Sequence, residues 1–116
     1  MPRSRGTRED RQSQWLKGVL DLAVLAALAR ERTAYGYTLM AALADRGFDG
    51  LKGGTIYPLL GRLEDDGLVE STWGDGDAGP RRKYFWLTDA GRAELAAGRE
   101  GWRAFAKSMN DALETD

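Results

Sequence analysis

Two groups of side chains in this sequence could do chemistry, and the chemistry they favour is the binding of a polyanion. The first group consists of polar residues set among apolar residues at helical spacing between positions 54 and 63. The amino-terminal part of such a helix can enter the major groove of DNA and contact bases or flanking phosphates. The second group is a run of three cations beside a turn, which would hold phosphates without reading the base sequence. The groups are Thr55, Tyr57 and Arg62, and then Arg81, Arg82 and Lys83.

The residue composition excludes several other functions. The chain has no cysteine and no histidine, so it lacks disulfides, thiolate metal ligands and the commonest general base. Enzymes and metal-sensing repressors are therefore disfavoured, and we expect neither a metal nor a cofactor. A net charge of −1 argues mildly against nucleic acid. The distribution of charge matters more, because cations are concentrated in residues 1–17 and 81–83.

The length and the apolar content bound the architecture. A chain of 116 residues with 42% hydrophobic residues fits one small domain with a single core. The longest apolar stretch, residues 19–29, is interrupted by Asp21 and is too short to cross a bilayer. We therefore expect a bacterial-type cytoplasmic protein that makes no contact with a membrane.

The hydrophobic periodicity predicts helices and one hairpin. Residues 1–14 are polar and charged, which predicts a flexible basic arm. The first helix, over residues 15–29, is apolar on nearly every side and needs cover on two faces. Gly47 and Gly67 would end the second and third helices, and Thr88 would cap the last one. Beyond the first helix, the predicted helices cover residues 35–46, 54–66 and 89 onward, and the predicted strands cover residues 68–73 and 82–87.

This order of elements is typical of a winged helix-turn-helix DNA-binding domain, a mainly α fold with a small β-hairpin. We assign residues 15–88 to that domain and residues 89–116 to a carboxy-terminal dimerisation helix. Large apolar side chains recur along the last helix, and monomers avoid exposing such a patch. The first helix of a second copy would cover this stripe; the alternative is that the last helix folds back on its own domain. The residues expected at the dimer interface are Leu22, Leu25, Trp102, Phe105, Met109 and Leu113.

Four segments of the chain together resemble the PadR-like family of bacterial transcriptional regulators, in its short form with a single carboxy-terminal helix. The resemblance covers roughly residues 15–113, and the order and spacing of the segments make it specific. It implies a homodimeric repressor that binds an inverted-repeat operator in double-stranded DNA and, in many members, releases it on binding an effector. It also implies that Lys52 and the hydroxyls of Tyr35 and Tyr37 contact phosphates. The segments that carry the resemblance are residues 16–21, 35–37, 54–63 and 82–91.

The resemblance also implies a place for the effector. A dimer of this family can leave an apolar cavity between the first and last helices that accepts flat aromatic compounds. Trp102 matches the tryptophan that such members place at the cavity, and Asp21 and Leu22 would line it, with the Asp21 carboxylate meeting a cationic or hydrogen-bonding effector. Trp102 fits a plain interface core equally well, and Asp21 fits a solvent-exposed position.

Alternatives remain for the DNA contacts and for the function. Thr55 could merely cap its helix, Tyr57 could pack on Tyr37, and the basic triplet could be a solvated hairpin. The favoured function is a repressor that responds to a ligand, and the alternative is a winged-helix module that binds another protein without specific DNA binding. The basic triplet and the basic arm favour the repressor.

Overall fold

The computed structural model of the chain describes residues 8–74 and 81–114. It confirms the predicted fold class, which is mainly helical with one antiparallel hairpin and a long carboxy-terminal helix. The elements are α1 (Arg8–Lys17), α2 (Leu20–Glu31), α3 (Gly36–Asp45), α4 (Gly53–Asp65), β1 (Val69–Gly74), β2 (Arg82–Leu87) and α5 (Asp89–Leu113).

The amino-terminal region differs from the prediction of a flexible arm followed by a single helix. Residues 8–17 form α1, and the chain bends at Gly18 before α2 begins. The Gly18 and Val19 amides bond the Trp15 and Leu16 carbonyls at 3.1 and 2.9 Å, which closes α1 with a tight turn. The physical reason is that α1 contains neither glycine nor proline and consists largely of good helix formers. Its polar surface indicated an unstructured arm, although a polar helix is equally compatible with it. Residues 1–7 of the predicted arm lie outside the described part of the chain.

The core is built around α2, which contacts α3, α5 and β2. Val24 and Leu28 of α2 are buried together with the inward-facing residues of α3 and α4. The two strands pair from Val69 opposite Leu87 to Gly74 opposite Arg82. On the other edge of β2, the Ala34 and Phe85 backbones exchange hydrogen bonds of 3.1 and 2.8 Å. The hairpin is therefore attached to the segment that leads into α3.

The start of α5 is joined closely to the end of α4. The Thr88 hydroxyl accepts a hydrogen bond from the Gly91 amide at 3.0 Å, which confirms the predicted cap. The same hydroxyl donates to the Gly67 carbonyl at 2.6 Å. Gly91 lies so close to the Leu68 carbonyl that a side chain there would collide with the backbone. The direction of α5 is thus set by the turn that ends α4.

The distal half of α5 does not fold back on its own domain. Leu95 is the last buried residue of this helix, and Gly98 packs directly against the Leu22 side chain of α2. Beyond that contact, Phe105 and Leu113 are 62% and 70% exposed. The alternative in which α5 folds back on its own domain therefore holds for the proximal half of the helix, where Leu95 joins the core, and not for the distal half. Across residues 8–74 and 81–114, no helix is both long and apolar enough to span a bilayer.

Candidate nucleic-acid interface and apolar groove

The recognition-helix candidate is α4, and its most prominent side chain is Tyr57. The residue is 51% exposed, and its phenol ring covers the backbone of Gly36 at the start of α3. A Cβ atom on Gly36 would lie only 2.5 Å from the Tyr57 Cζ atom, and one on Gly53 would lie 3.2 Å from the near ring edge. The Tyr57 ring therefore packs on Gly36 and Gly53 and not on Tyr37, which was the alternative predicted from the sequence. About half of the side chain remains exposed.

Thr55 and Arg62 lie on the opposite edge of the exposed face of α4. At roughly 100° per residue, they stand about 140–160° around the helix from Tyr57. Both are exposed, and they line a shallow groove that α4 forms with the junction of α1 and α2. Thr55 does not cap the helix, because α4 begins at Gly53 and Lys52 occupies the cap position without a side-chain bond. Lys52 itself is exposed beside this end.

The exposed arc between these two edges carries small residues and one carboxylate. Helical spacing places Gly54, Pro58, Gly61 and Asp65 there, and all four are exposed. A Cβ atom built on Gly54 or on Gly61 would meet nothing within 4 Å. The backbone of α4 can therefore come close to a flat or grooved surface, with longer polar side chains on either side.

A cluster of rings connects β2 to the start of α3. The Arg82 guanidinium carbon lies 4.7 Å from the centre of the Tyr35 ring. Tyr84 meets the same ring edge-on at 5.4 Å, and Tyr37 stacks on it at 6.5 Å. Tyr35 is half-buried while Tyr37 is 69% exposed. The geometry makes Tyr35 a platform that holds Arg82, whereas Tyr37 presents its ring to the surroundings.

The other two cations of the basic triplet have different environments. The Lys83 ammonium lies 3.6 Å from the Glu64 carboxylate of α4, and Glu64 also accepts a 2.6 Å hydrogen bond from the Ser71 hydroxyl. Lys83 thus links the hairpin to α4, and its charge is partly neutralised. The Arg81 guanidinium carbon lies 5.7 Å from the Trp73 ring centre. These two partners, Glu64 on α4 and Trp73 across the hairpin, could not be identified from local spacing, because each lies on a different element from the cation it contacts.

A second feature is an apolar groove of about 850 Å³ between α1, α2 and α5. It brings together all the residues predicted for the dimer interface and the effector site. Leu25 contributes only the floor, since it is 2% exposed and belongs to the core of its own chain. The Asp21 carboxylate is exposed and bonds the Leu22 amide at 2.7 Å. The groove also includes Trp15 and Glu94, which the sequence analysis did not select.

Within the described ranges 8–74 and 81–114, no group of three or more acidic side chains is arranged to hold a metal ion. One surface carries exposed aromatic and cationic side chains on α3, α4 and the hairpin, and the other is an apolar groove with two carboxylates at its margin.

Comparison with known proteins agrees with this arrangement. Residues 24–97 match the sequence profile of the transcriptional regulator PadR-like family. An uncharacterized protein of Lysinibacillus sphaericus is 30% identical over 93 residues, which cover 78% of this chain and 84% of that protein. The crystal structure of a PadR family transcriptional regulator from Eggerthella lenta superposes with a TM-score of 0.83 at 34% identity, covering 93% of each chain. A PadR-like transcriptional regulator from Bacillus cereus gives 0.77 at 35% identity, covering 89% of this chain and 99% of that one.

Proposed function

Because the chain belongs to the PadR-like family of transcriptional regulators, we propose that it is a homodimeric repressor that binds an inverted-repeat operator and releases it when a small aromatic or lipophilic effector binds. Family membership assigns it to DNA-binding regulation and not to an enzymatic activity. Such a repressor acts in the cytoplasm, where bacterial DNA lies.

The observation that carries the proposal is the separation of the exposed large apolar side chains into two sets. Tyr37, Tyr57 and Trp73 lie on α3, α4 and the hairpin, and all three are aromatic residues with a polar group. The remaining five line the groove between α1, α2 and α5. This separation supports one surface for DNA and another for a second copy of the chain. The five groove residues are Trp15, Trp102, Phe105, Met109 and Leu113.

On the DNA side, we propose that α4 enters the major groove. The small residues on its exposed arc support a close approach of the helix backbone to the floor of the groove. Thr55 and Arg62 would then reach bases or phosphates on one side of the helix, and Tyr57 would do so on the other. Lys52 and Tyr37 would contact phosphates near the start of α4, as would Arg81 and Arg82 on the hairpin. The ion pair with Glu64 supports a smaller contribution from Lys83, and the position of Tyr35 beneath Arg82 supports an indirect one.

On the other side, we propose that the groove is filled by a second copy of the chain. Residues 96–113 form about 27 Å of helix with no buried residue, whereas helices in proteins gain most of their stability from packing of an apolar face. Its apolar side chains, together with Trp15 of α1, make a surface that single chains avoid exposing to water. Packing of α5 against α1 and α2 of the partner would cover the surface in both copies.

The effector is proposed to bind in what remains of this groove after dimerisation. The Trp102 and Phe105 ring centres are 5.9 Å apart, a spacing at which aromatic rings attract one another, and both rings line the groove, which supports an aromatic effector. Asp21 and Glu94 are carboxylates at the margin of the groove, which supports a preference for cationic aromatic compounds. Leu22, packed against Gly98, would contact the effector from α2.

A footprint on the DNA upstream of the gene for this protein tests the proposal. We expect two protected half-sites about one helical turn apart on one face of the duplex. A duplex of the same base composition in scrambled order serves as the control and should be bound more weakly. No protection by a folded, dimeric protein would contradict the proposal and would favour the winged-helix module that binds another protein.

A further inference from the structure

Trp73, near the end of β1, is a large exposed side chain that lies outside the groove proposed for dimerisation. Its side chain is 55% exposed, whereas tryptophan is highly buried on average. It belongs neither to the buried core nor to the partly buried residues packed on that core. It does not line the groove between α1, α2 and α5 either. The indole at the surface of the hairpin is therefore available to a partner outside the chain.

The surroundings of the indole are cationic. Trp73 pairs with Lys83 across the hairpin, and the Lys83 ammonium lies 5.9 Å from its ring centre. The Arg81 guanidinium carbon approaches the same ring to 5.7 Å. Because Lys83 also pairs with Glu64 of α4, the indole is held in the angle between the hairpin and the recognition helix. A partner that reaches Trp73 would therefore meet an aromatic face with a guanidinium and an ammonium group beside it.

We propose that Trp73 is a DNA-contact residue that packs against the sugar–phosphate backbone at the edge of the minor groove, beside a phosphate neutralised by Arg81. This inference rests on the proposed DNA binding. In a winged helix the recognition helix lies in the major groove, so a residue in the angle between helix and hairpin faces the backbone that separates that groove from the next. The flat indole covers the carbons of a deoxyribose, and its N–H donates a hydrogen bond to a phosphate oxygen.

This contact has a distinct dependence on salt. A lysine or arginine on a phosphate releases counterions, so its removal flattens the salt dependence of the affinity. A neutral indole releases none, so its removal weakens binding without changing that slope. The contact also carries no base information, so the loss should be the same on an operator and on an unrelated duplex.

The test measures binding of full-length variants to the labelled upstream duplex and to a scrambled duplex by fluorescence anisotropy over a range of salt. Trp73→Ala should bind both duplexes about ten-fold more weakly, as expected for the truncation of an aromatic anchor, with an unchanged salt slope. Trp73→Phe, which keeps a ring but loses the N–H, should fall between Trp73→Ala and the unsubstituted protein. Thr72→Ala, exposed on the opposite face of β1, is the matched control and should bind normally.

A spectroscopic measurement separates contact from a merely structural role. Adding duplex should protect part of the tryptophan emission of the unsubstituted protein from acrylamide, and this protected part should be missing in Trp73→Phe. If the unsubstituted protein binds DNA and Trp73→Ala binds within two-fold of it, the contact is wrong while the proposed function stands. If Trp73→Ala does not fold, an unchanged affinity and an unchanged protection in Trp73→Phe overturn the contact. Absence of any DNA binding by the unsubstituted protein would overturn both.

Discussion

Substituting Gly36 by alanine should weaken DNA binding although residue 36 itself does not contact DNA. Gly36 is buried at the first position of α3, and the Tyr57 ring occupies the space a methyl group would need. The new Cβ would lie 2.5 Å from Cζ and 2.8 Å from Cε1 of that ring, whereas carbon atoms in favourable contact are about 3.5–4.0 Å apart. The ring must therefore move by about an ångström or more. It can do so because it is the end of a half-exposed side chain and not part of the backbone.

Gly36→Ala should change the free energy of unfolding less than it changes the free energy of DNA binding. Turning the ring into solvent forfeits part of its burial, about 1 kcal/mol, and alanine in place of glycine offsets this by roughly 0.4–1 kcal/mol because it restricts the unfolded chain. The free energy of unfolding should therefore change by less than about 1 kcal/mol, which corresponds to at most about 4–8 °C in Tm. If Tyr57 contacts the operator, its displacement should weaken binding about ten-fold, or 1.4 kcal/mol.

The assay is a double-mutant cycle with Gly36→Ala, Tyr57→Ala and the double variant, measured by anisotropy on the same duplex. Gly36→Ala should have almost no further effect once Tyr57 is alanine, because both act through the same ring. Gly91→Ala is the matched control for stability, since its methyl would collide with the Leu68 carbonyl of the backbone. It should lower the free energy of unfolding by about 1–3 kcal/mol.

Two results would refute this reasoning. An equal loss of affinity from Gly36→Ala in the presence and in the absence of the tyrosine ring would show that the substitution acts through the position of α3. If Gly36→Ala lost as much stability as Gly91→Ala, the Tyr57 ring could not move away from the backbone of residue 36.

Three further experiments, with five substitutions between them, test the remaining assignments. Arg82→Ala should lower the slope of log K against log salt by about 0.9, and Lys83→Ala should lower it less because its ammonium is paired with a carboxylate of α4; equal changes would contradict this difference. Phe105→Glu should convert the dimer to monomer in sedimentation, while Asn110→Glu, a neighbouring exposed position outside the groove, should leave it dimeric; two dimeric variants would exclude α5 as the interface. Trp102→Ala, if still dimeric, should lose the response of DNA binding to planar aromatic cations, and an unchanged response would mean that the effector site lies elsewhere.

Most elements of the fold could be predicted from the sequence because their signals are local. Apolar residues at helical spacing marked α2 to α5, and a cluster of turn-forming residues between β-rich runs marked the hairpin. Gly67 adopts a φ of 78° after α4, and Thr88 caps α5, as their positions predicted. The family could likewise be identified from short segments in a particular order. The exception is α1, whose polar residues allow either a helix or an unstructured arm, so composition alone did not distinguish them.

The partners of the candidate binding residues could not be predicted in this way. Arg82 lies over Tyr35, Lys83 pairs with Glu64, and Tyr57 rests on Gly36, all at separations of about 20 residues or more along the chain. Such contacts depend on how the helices cross and on the register of the hairpin, which local periodicity does not specify. The sequence therefore indicates which residues are polar at the surface and which elements carry them. The packing of those elements decides which cations are paired within the protein and which face outward. The reason is that a side chain interacts with the groups that lie within a few ångströms of it, and the tertiary structure determines which groups these are.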